Sequence, residues 1–153
     1  MRSNGRTHRG FSLVELVVVV MILGILGAIA APRLLRTSDQ AVDGGLCQTL
    51  SVIRDSIDRF AAEHEGTLPG ADGLEQTLKD DLARYLRGPT FPICPVGEAN
   101  NDLVRMVEDE STIISGMAAS SETHSWVYCY KNGEFGVNCE DTSADGVRTY
   151  DEF

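Results

Sequence analysis

The C-terminal segment of the chain carries oxygen-bearing side chains at the spacing of a calcium loop. Asp141, Ser143 and Asp145 alternate along the chain, Gly146 follows, and Glu152 closes the series. Side-chain oxygens at alternate positions can converge on one cation, glycine allows a sharp turn, and a closing glutamate can bind through both oxygens. The spacing therefore predicts a calcium site at Asp141, Ser143, Asp145 and Glu152.

The context of this segment differs from that of an EF-hand. Arg148 stands where an apolar residue is usual, strand-like sequence precedes the loop, and the sequence reaches Phe153 without room for a second helix. The alternative interpretation is an acidic, glycine-containing segment that is simply solvated.

Four cysteines are the other residues with obvious chemistry: Cys47, Cys94, Cys129 and Cys139. They allow three disulfide pairings, and the spacing does not choose among them. A two-residue hairpin turn at Asn132-Gly133 would place Cys129 and Cys139 on opposite faces of the sheet, so a direct bridge between these two would need a bulge. Because no C-x-x-C pattern occurs, we do not expect a zinc site.

The sequence contains no constellation typical of an active site. Neither His64 nor His124 lies in an H-E-x-x-H pattern or beside a G-x-S-x-G serine. The phosphate-binding patterns G-x4-G-K-[ST] and G-x-G-x-x-G are also absent. We therefore expect a protein that is not an enzyme.

The charge balance also excludes one class of partner. The chain has 13 Lys and Arg against 23 Asp and Glu, a formal net charge of -10. Such a surface repels phosphate backbones, so nucleic acid is not an expected partner. It is better suited to binding cations.

A long apolar run lies near the N-terminus, from Phe11 to Ala31, and we expect it to anchor the remainder of the chain. At about 1.5 Å per helical residue it would span roughly 31 Å, the thickness of a bilayer core. It contains one charged residue, Glu15. A carboxylate within a membrane span costs about 2.5 to 3.5 kcal/mol and usually marks a function. The alternative is an interfacial glutamate satisfied by water and by the nearby Arg6 and Arg9.

The segment from Gly10 to Pro32 resembles the signature of type IV prepilins, which include type IV pilins and type II secretion pseudopilins. The matching residues are Gly10, Phe11, Ser12, Leu13, Glu15, Gly24 and Pro32. In that family a membrane aspartyl peptidase cuts after the glycine and methylates the new amino group. The resemblance therefore implies processing between Gly10 and Phe11 and N-methylation of Phe11.

The resemblance also implies a role for Glu15 in assembly. Its carboxylate is expected to pair with the Phe11 ammonium of a neighbouring subunit in a helical filament. Each of the two charges is costly when it is buried alone. The ion pair would therefore stabilise only the axial register between subunits in which the two charges meet. The partners implied are other copies of the chain, a prepilin peptidase, and an inner-membrane assembly platform with its cytoplasmic ATPase.

A weaker resemblance extends into the rest of the chain. The compact size and the F-P-x-C-P-V-G stretch at residues 91–97 are similar to those of type II secretion major pseudopilins. Those proteins have a calcium site in their C-terminal region, which agrees with the spacing described above, although no residue-by-residue match can be made.

Periodicity predicts the remaining elements. An apolar stripe from Leu46 to Phe60 indicates a helix that ends near Glu65-Gly66, and Asp72 to Arg87 reads as a second helix that begins with an Asp72–Glu75 capping box. The strand candidates are Leu103–Val107, Thr112–Ser115, Trp126–Tyr130 and Glu134–Asn138, the last two joined as a hairpin.

The predicted fold class is α+β. A long N-terminal helix, with a membrane half and an amphipathic half, packs on a small C-terminal antiparallel β-sheet, as in the pilin-like fold that the resemblance implies. The predicted division is a cleaved leader at 1–10, a transmembrane and assembly helix at 11–32, and a periplasmic globular domain at 33–153.

The basic side chains of the leader predict the topology. Arg2, Arg6 and Arg9 precede the apolar run, so the positive-inside rule places the N-terminus in the cytoplasm and the C-terminal domain in the periplasm, with one pass through the inner membrane. A secretory signal peptide is the rival, but its apolar region would be only about 7 to 15 residues long. Removal of the leader would leave 10 basic against 23 acidic side chains, a net charge of -13.

The sequence thus favours a structural subunit of a type II secretion pseudopilus or a related type IV pilus-like filament. Two alternatives stay open: a surface type IV pilin for adhesion or motility, and a single-pass, membrane-anchored periplasmic binding domain that does not polymerise.

Overall fold

The structure is a computed structural model that describes residues 11–88, 90–111, 113–114 and 123–153. The chain divides into two compact units, residues 1–38 and residues 39–153. The predicted leader, including Gly10, lies outside the described residues, as does part of the predicted strand Thr112–Ser115.

Helix α1 spans Leu13–Glu63 and contributes to both units. It ends two residues before the predicted stop, where the backbone turns left-handed at Glu65 (φ 58°) and Gly66 (φ 87°). The Gly66 N–H donates to the Ala61 carbonyl at 2.8 Å, which satisfies one of the last helical carbonyls. The predicted helix end near Glu65-Gly66 is therefore confirmed, and Gly66 forms its left-handed cap.

The amphipathic part of α1 supplies one wall of the core of the second unit. Its buried stripe is the predicted one: Leu46, Leu50, Ile53, Ile57 and Phe60. The stripe packs against one face of the sheet, from which Trp126, Tyr128, Phe135 and Val137 project. The predicted α+β arrangement of helix on sheet is confirmed.

A short helix, α2, spans Glu75–Leu82, and its buried Leu78 and Leu82 join the same core. The predicted capping box is wrong, because the N-cap residue is Leu74 and makes no side-chain cap. Asp72 instead accepts from the Leu74 N–H at 3.0 Å and from the Thr77 hydroxyl at 2.7 Å. Because of this local turn, the helix begins at Glu75 and not at Asp72 as predicted.

The sheet has three strands in the order β1 (Val104–Val107), β2 (Trp126–Cys129) and β3 (Phe135–Val137). β2 and β3 are antiparallel, whereas β1 runs parallel to β2. The prediction of an antiparallel sheet is wrong in this respect, and the sheet is mixed. Residues 108–125 separate β1 from β2, which exceeds the dozen or so residues that a parallel connection needs.

The hairpin between β2 and β3 has a longer turn than the two residues that Asn132-Gly133 suggested. The Cys129 N–H donates to Glu134 O and the Gly133 N–H to Cys129 O, both at 2.9 Å, so residues 130–133 form the turn. The register shifts by two residues, which leaves every side chain on its predicted face. Cys129 lies with Ile114 and Val127 on the face opposite the main core.

Two side chains of α1 hold the C-terminal segment of the second unit. Asp43 accepts the Tyr150 hydroxyl at 2.8 Å and the Ala144 N–H at 2.9 Å, one on each carboxylate oxygen. Arg54 donates to the backbone carbonyls of Phe135 at 2.9 Å and Phe153 at 2.7 Å. Burial and the Asp43 carboxylate raise the pKa of Tyr150 to about 12.

The Asp43 contacts give a first testable prediction. Asp43→Ala removes two hydrogen bonds to a half-exposed carboxylate, so we expect a loss of about 1 to 3 kcal/mol and a melting midpoint lower by several degrees for the detergent-solubilised full chain. The matched control is Asp39→Ala, one turn earlier on α1 and exposed. Equal losses in the two variants would contradict the anchoring role.

Candidate functional site

The N-terminal half of α1 presents an apolar surface that the described chain does not cover. Residues Leu13–Ala31 have a mean hydropathy of 2.8, none of them is buried, and this is the one helix of the described residues that is long and apolar enough to cross a membrane. Phe11, just before the helix, is 75% exposed. An exposed apolar surface of this size is typical of a segment that contacts lipid or other protein.

Glu15 lies in the first turn of this helix. The Leu16 N–H donates to Ser12 O at 3.1 Å, so Ser12 is the N-cap residue and Ser12-x-x-Glu15 has the spacing of a capping box. The Glu15 carboxylate, however, makes no hydrogen bond or ion pair with a described residue.

The stabilisation that Glu15 can gain from its own helix can be compared with the cost of placing its charge in a membrane. A carboxylate at a helix N-terminus gains about 0.3 to 1 kcal/mol from the helix dipole. Insertion of that carboxylate into a membrane span costs about 2.5 to 3.5 kcal/mol. The dipole would therefore offset only part of the cost of placing Glu15 in a membrane.

Asp145 organises the C-terminal loop. One carboxylate oxygen accepts the Ser143 hydroxyl at 2.6 Å, the Val147 N–H at 2.8 Å and the Arg148 N–H at 3.1 Å. The other oxygen lies 3.3 Å from Arg148 Nε. The hydrogen bond from Ser143, followed by those from the backbone, holds the pKa of Asp145 well below its usual range.

The other predicted calcium ligands do not gather around Asp145. Glu152 accepts the Thr149 N–H at 3.3 Å in a capping box of the 3-10 turn Tyr150–Glu152. Asp141 is exposed. Among the described residues no group of three or more His, Cys, Asp or Glu is placed to hold a metal ion. The arrangement as it stands closes a loop, and calcium binding stays a prediction.

Asp151 is a polar residue of this region that sequence reasoning missed. It is 7% exposed, and its Oδ1 makes no hydrogen bond with a described residue. Together with Arg54, Asp58, Glu134 and Phe153 it lines a groove of about 400 Å³. Nothing in the spacing of the acidic segment distinguishes Asp151 from its exposed neighbours.

The four cysteines occupy three different environments. Cys47 is exposed on α1, Cys129 is buried on the outer face of the sheet, and Cys94 is fully buried in the main core. Cys139 is half-buried and packs against that same core. Only Cys94 and Cys139 therefore share one cluster.

Comparison with known proteins bears on the N-terminal segment first. Residues 5–31 match the family model of the prokaryotic N-terminal methylation motif. This range includes Gly10, Phe11 and Glu15. No solved structure matches the chain.

Curated relatives extend the comparison beyond the motif. The chain is 42% identical over 64 residues to the type IV narrow pilus major component PilA5 of Thermus thermophilus, covering 42% of this chain and 54% of the relative. It is 32% identical over 74 residues to the type II secretion system core protein G of Pseudomonas aeruginosa, covering 48% and 52%. Both matches span about half the length of the relative.

A longer alignment joins the chain to the type II secretion system core protein G of Dickeya chrysanthemi, with 21% identity over 132 residues, which is 86% of this chain and 81% of the relative. The methylation motif, the exposed apolar helix behind it and these relatives agree with one another. The chain is therefore similar to type IV pilins and pseudopilins, most closely in its N-terminal segment.

Proposed function

We propose that the chain is a structural subunit of a type II secretion pseudopilus or a related type IV pilus-like filament, and that it is not an enzyme. The observation that carries the proposal is the apolar helix Leu13–Ala31, which no described residue covers and in whose first turn Glu15 has no partner among the described residues. A filament would supply the apolar neighbours and the cation that this helix does not find in the described part of the chain.

Processing would create that cation. Cleavage between Gly10 and Phe11 frees an amino group on Phe11, and N-methylation leaves that amine able to carry a positive charge. Within one chain Phe11 and Glu15 are four residues apart at the start of the helix. In a neighbouring subunit displaced along the axis, the Phe11 ammonium would meet Glu15, so that only the correct register pairs both charges.

The proposal extends to the location of the chain and to its partners. The chain crosses the inner membrane once, with its N-terminus in the cytoplasm and residues 33–153 in the periplasm, before it joins an extracytoplasmic filament. A prepilin peptidase cuts and methylates it, and an inner-membrane platform with its ATPase assembles it. The Dickeya relative, aligned over 86% of the chain, favours the secretion pseudopilus.

A surface type IV pilin for adhesion or motility is the second candidate. The 42% identity to the Thermus pilus component favours it. A membrane-anchored periplasmic binding domain that never polymerises is the candidate from a different class, and the groove beside Asp151 would be its natural ligand site.

The mature N-terminus separates the filament subunit from the anchored domain. We expect mass spectrometry of the chain, produced with a prepilin peptidase, to show loss of residues 1–10 and one added methyl group on Phe11. Gly10→Val places a branched side chain at the cut site, so this variant should keep its leader. An unprocessed wild-type chain would support the anchored binding domain.

Glu15 tests assembly separately from processing. Glu15→Gln keeps the size and hydrogen-bonding capacity of the side chain but removes its charge, so we expect normal cleavage and at least a tenfold lower yield of sheared filaments. The loss follows because the Phe11 ammonium is then left buried without a counter-charge.

Glu98→Gln is the matched control, because it removes the same charge at an exposed position of the second unit. It should form filaments at the wild-type level. Normal filament yield from Glu15→Gln would refute the pairing role.

Calcium binding at Asp141, Ser143, Asp145 and Glu152 is the last part of the proposal. A cation must displace Arg148 from Asp145, so we expect millimolar calcium to raise the melting midpoint of the full chain, Arg148→Ala to enlarge the rise, and Asp145→Asn to abolish it. Chelator and magnesium are the controls. An identical midpoint with calcium and with chelator would show that the spacing serves loop closure alone.

A further inference from the structure

We propose that Cys94 and Cys139 are the disulfide-forming pair of this chain and that Cys47 and Cys129 stay thiols. The inference rests on the proposed function in one respect, since a periplasmic location is what exposes these thiols to an oxidising compartment.

The fold brings the two cysteine-bearing segments together. Cys94 is 0% exposed and belongs to the main core, and Cys139 packs against that core from the end of β3. A Cβ placed on Gly97 would lie only 3.2 Å from the Cys139 sulfur and 3.4 Å from its Cβ. The turn that follows Cys94 therefore lies directly against Cys139.

Both segments are held in place by hydrogen bonds. The Cys94 N–H donates to Asn101 O at 3.0 Å, and the Trp126 indole donates to Pro92 O at 2.9 Å. On the other side, Cys139 O accepts the Asp151 N–H at 3.0 Å. All four cysteines are thiols in this structure, and a bridge between Cys94 and Cys139 would join two segments that already lie against each other.

The other pairings are opposed by the alternation of side chains along the sheet. Cys129 faces away from the main core, beside Ile114 and Val127, and its thiol donates to Asp109 O at 3.2 Å. The sheet therefore separates Cys129 from Cys94 and Cys139. Cys47 is exposed on α1, whereas its neighbour Leu46 faces the core.

Burial controls when the bond can form. It raises the pKa of both Cys94 and Cys139 to about 11, and a charge on Cys139 adds to the shift at Cys94. Because the thiolate is the reactive form, the folded and reduced pair should react slowly at neutral pH. We expect the bond to form before the core closes and to be protected from reduction afterwards.

The chemistry is a two-step exchange with a disulfide oxidant, either a periplasmic exchange protein or oxidised glutathione. Cys139 loses its proton, attacks one oxidant sulfur and releases the other as a thiolate. Cys94 then loses its proton and attacks the Cys139 sulfur, which releases the second thiolate. The two cysteines lose two electrons, the oxidant disulfide gains them, and the two released thiolates take up two protons.

The test uses the purified full chain, reduced and unfolded, then refolded in detergent with a mixture of oxidised and reduced glutathione. Free thiols are alkylated, the chain is digested without reduction, and the peptides are identified by mass spectrometry. We expect one linked pair, Cys94 with Cys139, and alkylated Cys47 and Cys129. Four alkylated cysteines, or a link that includes Cys47 or Cys129, would overturn the proposal.

A stability measurement gives an independent readout. The bond closes a loop of more than 40 residues, so reduction should lower the melting midpoint of the wild-type chain by roughly 10 °C or more. The double variant Cys94→Ala, Cys139→Ala should be insensitive to reductant, and Cys47→Ala should respond as the wild type does. A wild-type midpoint unaffected by reductant would also overturn the pairing.

These outcomes do not depend on the filament. Processing and methylation at Phe11 are read on chain isolated from cells, whereas the pairing is read after refolding with a supplied oxidant. If Cys94 and Cys139 are linked in a chain that is never processed, the result would support the disulfide and count against the proposed function.

Discussion

The second unit depends on burial of the apolar stripe of α1. Five side chains between Leu46 and Phe60 need a cover, and each contributes about 1.5 to 3 kcal/mol once buried. One face of a three-stranded sheet supplies that cover, with Trp126 and Phe135 at its centre. Because this face of the sheet packs on the helix, side chains at alternate strand positions lie either in the main core or on the opposite face. The placement of the cysteines follows from this sorting.

The first part of α1, in contrast, leaves its apolar side chains exposed. Its apolar side chains are as hydrophobic as the core stripe but have no cover within the described chain, and a carboxylate is placed among them. One helix therefore combines a segment whose apolar side chains are buried within the described chain with a segment whose apolar side chains are left exposed. This division fits the proposed role as an assembling subunit, because an apolar helix that was covered by its own chain could not pack against a neighbour.

The C-terminal segment shows how one spacing can serve two purposes. Alternating oxygens suit a cation, yet Asp145 also suits a loop, because a carboxylate accepts several N–H and O–H donors at once. Asp43 and Arg54 of α1 then hold that loop and the segment around it. The acidic segment is thus part of the packed unit. Asp151 is the buried residue of this segment, and it lines the groove, whereas the exposed acidic residues beside it do not.

Local and periodic features of this protein were predictable from the sequence, because they depend on neighbours in the chain. The membrane-length run, Glu15, the stripe of α1, the Gly66 cap and the opposite faces of Cys129 and Cys139 are all of this kind. The parallel pairing of β1, the burial of Asp151 and the proximity of Cys94 to Cys139 depend on segments far apart in sequence. Only the tertiary structure decides such contacts, because each joins residues that are well separated along the chain and no local pattern records which segments meet.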